Sequence, residues 1–138
     1  TAWNFNGQEI KPLKNYWRKF IIRTAKAGDD PAALSEIISR RFNHPEWPFP
    51  GLVVIDGGPA QLRAGLRVLK NKKINNQSLP PLKIISLAKP QQLVYGWGQE
   101  PTPLIKLPPP FQKLIARVIA ETHNFAIRFH RRRRRLLF

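Results

Sequence analysis

The run Val54-Ile55-Asp56-Gly57-Gly58 puts a carboxylate where a short apolar segment stops and two glycines begin. A hard divalent cation takes oxygen ligands of this kind. The glycines let backbone pass close to a ligand and start a helix without a Cβ clash. The same residues also suit a turn whose aspartate caps the next helix, and spacing leaves both readings open. His123, in Glu121-Thr122-His123-Asn124-Phe125, is the second candidate. Its imidazole suits metal ligation or proton movement near neutral pH; taken alone, a half-buried position on a helix surface explains it better. Asp29-Asp30 is the only adjacent pair of carboxylates. Helix capping accounts for one of them, and Asp30 is the expected cap. A role in metal or substrate positioning is open to the other. His130 adjoins the run Arg131 to Arg135, which suits phosphate contact or plain solvation better than catalysis. His44 lies in a proline-rich stretch and carries no assignment.

These residues need elements to hold them. Thr1–Phe5 alternates and is followed by Asn6-Gly7, the preferred pair for a tight hairpin turn. Tyr16 to Arg23 alternates again and predicts the second, half-buried strand. A helix is expected from Asp30-Pro31, with Leu34, Ile37, Ile38 and Phe42 inward and Arg40-Arg41 on the favourable end of its dipole. Gly51–Asp56 and Leu82–Ala88 are continuous apolar runs, as in strands buried on both faces. Between them, a helix after Pro59 turns Leu62, Leu66 and Leu69 inward, and residues 71–81 form a polar loop. This is a β-α-β unit with parallel strands. Asp56 then stands at the carboxyl end of a parallel strand, where open α/β sheets keep their sites. Leu93–Tyr95 and Leu104–Leu107 predict two short strands around Gly96-Trp97-Gly98. A last helix runs from about Phe111 into the 120s with a wide apolar stripe, and a basic tail follows at 131–138. The fold class is mixed α/β, one domain over 1–130.

Composition narrows the partners. Lys and Arg number 24 against 8 acids, a formal net charge of +16 in 138 residues. Such a surface repels itself and calls for a polyanion, nucleic acid first. With no cysteine, disulfide frameworks, thiolate metal sites and cysteine nucleophiles are excluded; a reducing, cytoplasmic setting fits. No run of 18 apolar residues marks a membrane span. No helix shows a base-reading code. Phosphate contact is expected from Arg18, Lys89, His130 and Arg131 among others. Trp17, Trp47 and Trp97 suit loop or core packing better than base stacking. The chain has no Met, which suggests processing or a fragment.

Several motifs together resemble one family. Val54-Ile55-Asp56-Gly57-Gly58-Pro59-Ala60-Gln61-Leu62 is similar to the V-D-G-G-x-x-Q-L pattern of the UvrC excinuclease subunit. Asp29-Asp30-Pro31-Ala32-Ala33-Leu34 with Arg40-Arg41-Phe42 resembles its D-D-x-A-x-M and R-R-Y/F. Ser86-Leu87-Ala88-Lys89 resembles G-L-A-K, and Glu121 to Ile127 with Phe129-His130-Arg131 resembles E-T/A-H-R-F-A-I and F-H-R. The resemblance implies the C-terminal endonuclease domain, an RNase H-like mixed sheet with flanking helices. It implies incision 5′ to a bulky lesion in damaged double-stranded DNA, in nucleotide excision repair alongside UvrB, with Mg²⁺ or Mn²⁺. By motif, Asp56 and His123 are the metal and catalytic residues, with Asp30 a further carboxylate favoured over Asp29. The family's first carboxylate lies upstream in a motif like Y-D-I-S, and nothing before Trp3 supplies it. The expectation is an N-terminally incomplete domain lacking its first strand, inactive or weak by itself. Asn124 stands where the family usually has Arg. The rival readings are a degenerate, non-catalytic nucleic-acid-binding module and a basic structural protein.

Overall fold

The computed structural model describes residues 1–26, 28–74 and 77–137, with backbone alone at 74, 130 and 133–137. The chain divides into two compact units, Thr1–Phe20 with Leu107–Phe138, and Ile21–Lys106.

The second unit carries the parallel core. α1 (Asp30–Arg41) precedes β3 (Leu52–Asp56), α2 (Pro59–Asn71), β6 (Lys83–Ala88), β7 (Leu93–Tyr95) and β8 (Thr102–Pro103). β3 and β6 are parallel, with Leu52 opposite Lys83 and Asp56 opposite Leu87. β7 and β8 continue antiparallel, giving the order β3-β6-β7-β8. The expected β-α-β unit is therefore present, and the sheet is mixed. β6 is buried on both faces through Ile84, Ile85, Ser86 and Leu87, as its unbroken apolar run requires. Ile38, Phe42, Ile55, Leu62 and Ile84 form the core between helices and sheet.

α2 departs from its expected face. Leu62 is buried but Leu66 is 45% exposed. Gly65 takes the inward place, because a Cβ there would lie 2.7 Å from Ile84 Cδ1 and 3.0 Å from Ile55 Cδ1. The missing side chain is what lets α2 approach the sheet. The expected polar loop after α2 holds a minimal hairpin, β4 (Lys73–Ile74) with β5 (Gln77–Ser78).

Three other expectations are corrected. Asp29, not Asp30, caps α1: its carboxylate accepts from Ala32 N at 3.1 Å, and Pro31 stands at the second helical position. Leu104–Lys106 is a 3-10 turn rather than a strand. Residues three apart eclipse in such a turn, so Leu104 is buried while Ile105 is 80% exposed. Residues 17–22 form no strand. The backbone that follows is fastened by side chains instead. Arg23, Thr24 and Ala25 donate their N–H groups to the Glu36 carboxylate at 2.7, 2.8 and 3.1 Å. Arg40 Nη1 donates to Ile21 O at 2.6 Å.

In the first unit, β1 (Trp3–Phe5) pairs antiparallel with β2 (Ile10–Pro12). The hairpin turns at Asn6-Gly7 as expected, but over four residues. Asn6 Oδ1 accepts from Gln8 N and Glu9 N, and Gly7 takes φ +100°. The second strand is thus Ile10–Pro12, and Lys14–Tyr16 is a 3-10 turn. The hairpin lies on α3 (Pro109–Leu137), through Phe5 against Phe111 and Arg117 against Trp3. α3 does not stop in the 120s. Nothing after Phe111 is Gly or Pro, and arginine is a strong helix former, so the helix carries on through the basic run.

Candidate active site

Asp56 ends β3 and is exposed. Gly57 N donates to Leu87 O at 3.0 Å, so the parallel ladder continues one residue past the carboxylate. Gly58 opens α2, and its N–H is taken by Gln61 Oε1 at 3.0 Å. Gln61 can fold back in this way because Gly57 has no Cβ; one would sit 2.7 Å from Gln61 Cγ. The capping work at this turn is therefore done by Gln61. Among the described residues the Asp56 carboxylate takes no hydrogen bond or ion pair. Of the two readings of this aspartate, the helix cap is removed and an uncommitted, solvent-facing carboxylate remains.

Ser86 stands behind this turn. It is fully buried, and its Oγ donates to Gly58 O at 3.4 Å. The sequence shows Ser86 only as part of a motif, since a serine in an apolar strand carries no sign of which carbonyl it will meet. Lys89 follows one residue beyond β6 and is exposed. Asp56 and Lys89 thus stand at the carboxyl ends of adjacent parallel strands. Asp30 lies in the first turn of α1, exposed, its neighbour Asp29 being spent on the cap.

The remaining candidates belong to the first unit. His123 is exposed on α3. It follows Thr122, whose Oγ1 lies 2.6 Å from Thr1 Oγ1, and precedes Phe125, which packs edge-on against Trp17. Arg18 donates through Nη1 to Asn15 O at 2.6 Å and Trp17 O at 2.9 Å, so part of its guanidinium braces the local turn. Arg131 is exposed on α3; the His130 side chain lies outside the described residues. The tryptophans pack as expected. Trp17 lies against Trp3 and Phe125, Trp47 stacks on His44 at 3.8 Å, and Trp97 lies under Lys83.

Residues 6–127 match the family described as the UvrC RNAse H endonuclease domain. The chain belongs to this family. Among its relatives, UvrABC system protein C of Solibacter usitatus is 38% identical over 128 residues, covering 90% of this chain and 20% of the relative. The namesake protein of Acaryochloris marina is 41% identical over 138 residues, covering 89% of this chain and 21% of the relative. That of Methanospirillum hungatei is 35% identical over 128 residues, covering 90% and 23%. The chain spans about a fifth of the length of the curated relatives it matches. The UvrC match takes in Asp30, Asp56, Lys89 and His123, and it ends before Arg128.

Proposed function

We propose that this UvrC-type domain is a metal-dependent endodeoxyribonuclease of nucleotide excision repair. In this reading it cuts the damaged strand of duplex DNA 5′ to a bulky lesion, working with UvrB in a UvrABC-type system. The observation that supports it is the free carboxylate of Asp56 at the carboxyl end of β3, the strand parallel to the one that leads into Lys89. Among the described residues no three His, Asp or Glu side chains gather into a cage. A magnesium-type ion needs none, because it keeps several waters and is held by one or two carboxylates plus substrate phosphates. Asp56 fits that demand as an oxygen ligand, and His123 is its proposed companion. When bound, Mg²⁺ or Mn²⁺ would polarise a phosphoryl oxygen and lower the pKa of a bound water.

The residues of the chain do the rest. Asp56 holds charge at the scissile position. His123 moves a proton at its imidazole. Lys89 and Arg131 hold the phosphate backbone without reading bases, which suits cutting beside a lesion of any sequence. Asp30, free of capping, is a further carboxylate available for positioning. One strong carboxylate supports weak activity at best, so the 138-residue chain by itself is expected to nick little or not at all. The test extends the chain N-terminally with a Y-D-I-S-type strand and assays Mn²⁺-dependent nicking of lesion-bearing duplex. Nicking that appears on extension and vanishes in Asp56→Asn and His123→Ala agrees with the reading. Nicking unaffected by both substitutions contradicts it. The second reading, a non-catalytic nucleic-acid-binding module, draws on the +16 charge; it expects no nicking from any variant and unchanged DNA affinity in Asp56→Asn.

A further inference from the structure

Of the arginine run, the nuclease reading uses Arg131 alone. The family match ends at residue 127, while α3 continues to Leu137. Six arginines follow within eight residues: Arg128 and Arg131 through Arg135. Arg128, Arg131 and Arg132 are exposed. Lys19 adds a cation on the same stretch, its ammonium 5.1 Å from the Phe125 ring and 5.4 Å from that of Phe129. The first unit holds twelve Lys and Arg against two acids, Glu9 and Glu121. Glu9 pairs with Lys11 at 3.5 Å, and Glu121 lies two helical turns before Arg128. The partial negative charge of a helix C-terminus favours cations in the last turn, but half an elementary charge does not balance six.

We propose that residues 128–135 of α3 are a helical arm that seats in the major groove of duplex DNA and grips phosphates on both walls. An α-helix advances about 100° per residue, so the five successive positions 131–135 encircle the axis. Arginine at five successive positions round the axis suits a groove bounded by phosphates left and right, and the major groove, about 12 Å wide, admits a helix. A membrane surface asks instead for an apolar face along the helix; Phe125 and Phe129 share a face, but the Lys19 ammonium lies over both rings and positions 131–135 are all arginine. The choice of duplex DNA as partner rests on the nuclease reading; the grip itself needs neither metal nor Asp56.

The experiment is DNA binding by the full chain, followed by fluorescence anisotropy in chelator, with mixed-sequence undamaged duplex over a salt series. Each phosphate contact contributes about 0.9 to the slope of log affinity against log salt. Replacing all five residues from Arg131 to Arg135 by Gln is expected to flatten that slope by about 4 and to weaken binding about 100-fold or more near 0.15 M salt. The all-Lys replacement keeps the slope, which separates charge from folding. Changing the base sequence shifts affinity less than about 3-fold. An unchanged slope in the Gln variant overturns the proposal. So does equal affinity for double-stranded RNA, whose deep, narrow major groove admits no helix, or for vesicles containing phosphatidylserine. Because chelator removes any cleavage, a failure of the nuclease reading leaves this result untouched.

Discussion

At the scale of single residues, the turn after β3 decides which polar groups are spent and which is left for chemistry. Gln61 satisfies Gly58 N, Leu87 satisfies Gly57 N, and Asp56 is left uncommitted. A buried hydroxyl without a partner is costly, and Ser86 avoids that cost by meeting Gly58 O. Ser86→Ala is expected to lower stability by about 1 kcal/mol in chemical denaturation, and to loosen the Asp56-Gly57-Gly58 turn. Amide hydrogen exchange at Gly57 checks the second effect: it should quicken in the variant, and equal exchange contradicts the role given to the serine. Asp56 was legible in the sequence as a carboxylate between a strand and two glycines. Its freedom from capping was not, because that depends on Gln61 folding back over a Cβ-less neighbour. The swap of Asp29 for Asp30 as the α1 cap is of the same kind, a shift of one residue with a chemical consequence. It frees Asp30.

At the scale of elements, the parallel pair and its helix were legible because apolar runs bounded by Gly and Pro admit few alternatives. Alternation misled at residues 16–23. It reports amphipathy, and a strand also needs a ladder partner, which the chain supplies elsewhere to β3 and β6. Ile21 and Ile22 are 47% and 37% exposed, so the alternating pattern buries neither face there. The clamp on Glu36 takes the place of a ladder. The Thr24 and Arg23 N–H groups, then the Thr24 hydroxyl, hold its carboxyl down from an ordinary 4.5 to about 2. A lowered carboxyl contributes stability that is whole above the unfolded value and is lost as pH falls through the folded one. The stability difference between the wild type and Glu36→Gln is therefore expected to be constant above about pH 5, to shrink as pH falls from 4.5, and to vanish near 2. Denaturation midpoints measured across that range decide it; a difference that persists at the acid end contradicts the clamp. The length of α3 was the other illegible feature. A charge run reads as a tail in sequence, yet it lacks any residue that ends a helix.

At the scale of the whole molecule, the charge excess fits the polyanionic substrate of the proposed function. The +16 excess is shared unevenly, with twelve cations against two acids in the first unit and twelve against six in the second. No described helix is long and apolar enough to cross a membrane. The central proposal is that Asp56 and His123 both bind the divalent cation of the nuclease reading, as the resemblance of their motifs implies. Paramagnetic Mn²⁺ broadens nuclear resonances close to its binding site, so titrating the chain with substoichiometric Mn²⁺ tests that claim most directly. The amide signals of Asp56 and Gly57 and the ring signals of His123 are expected to broaden together, and Asp56→Asn is expected to abolish both effects. Broadening at Asp56 with His123 untouched, or at neither, would contradict the proposal.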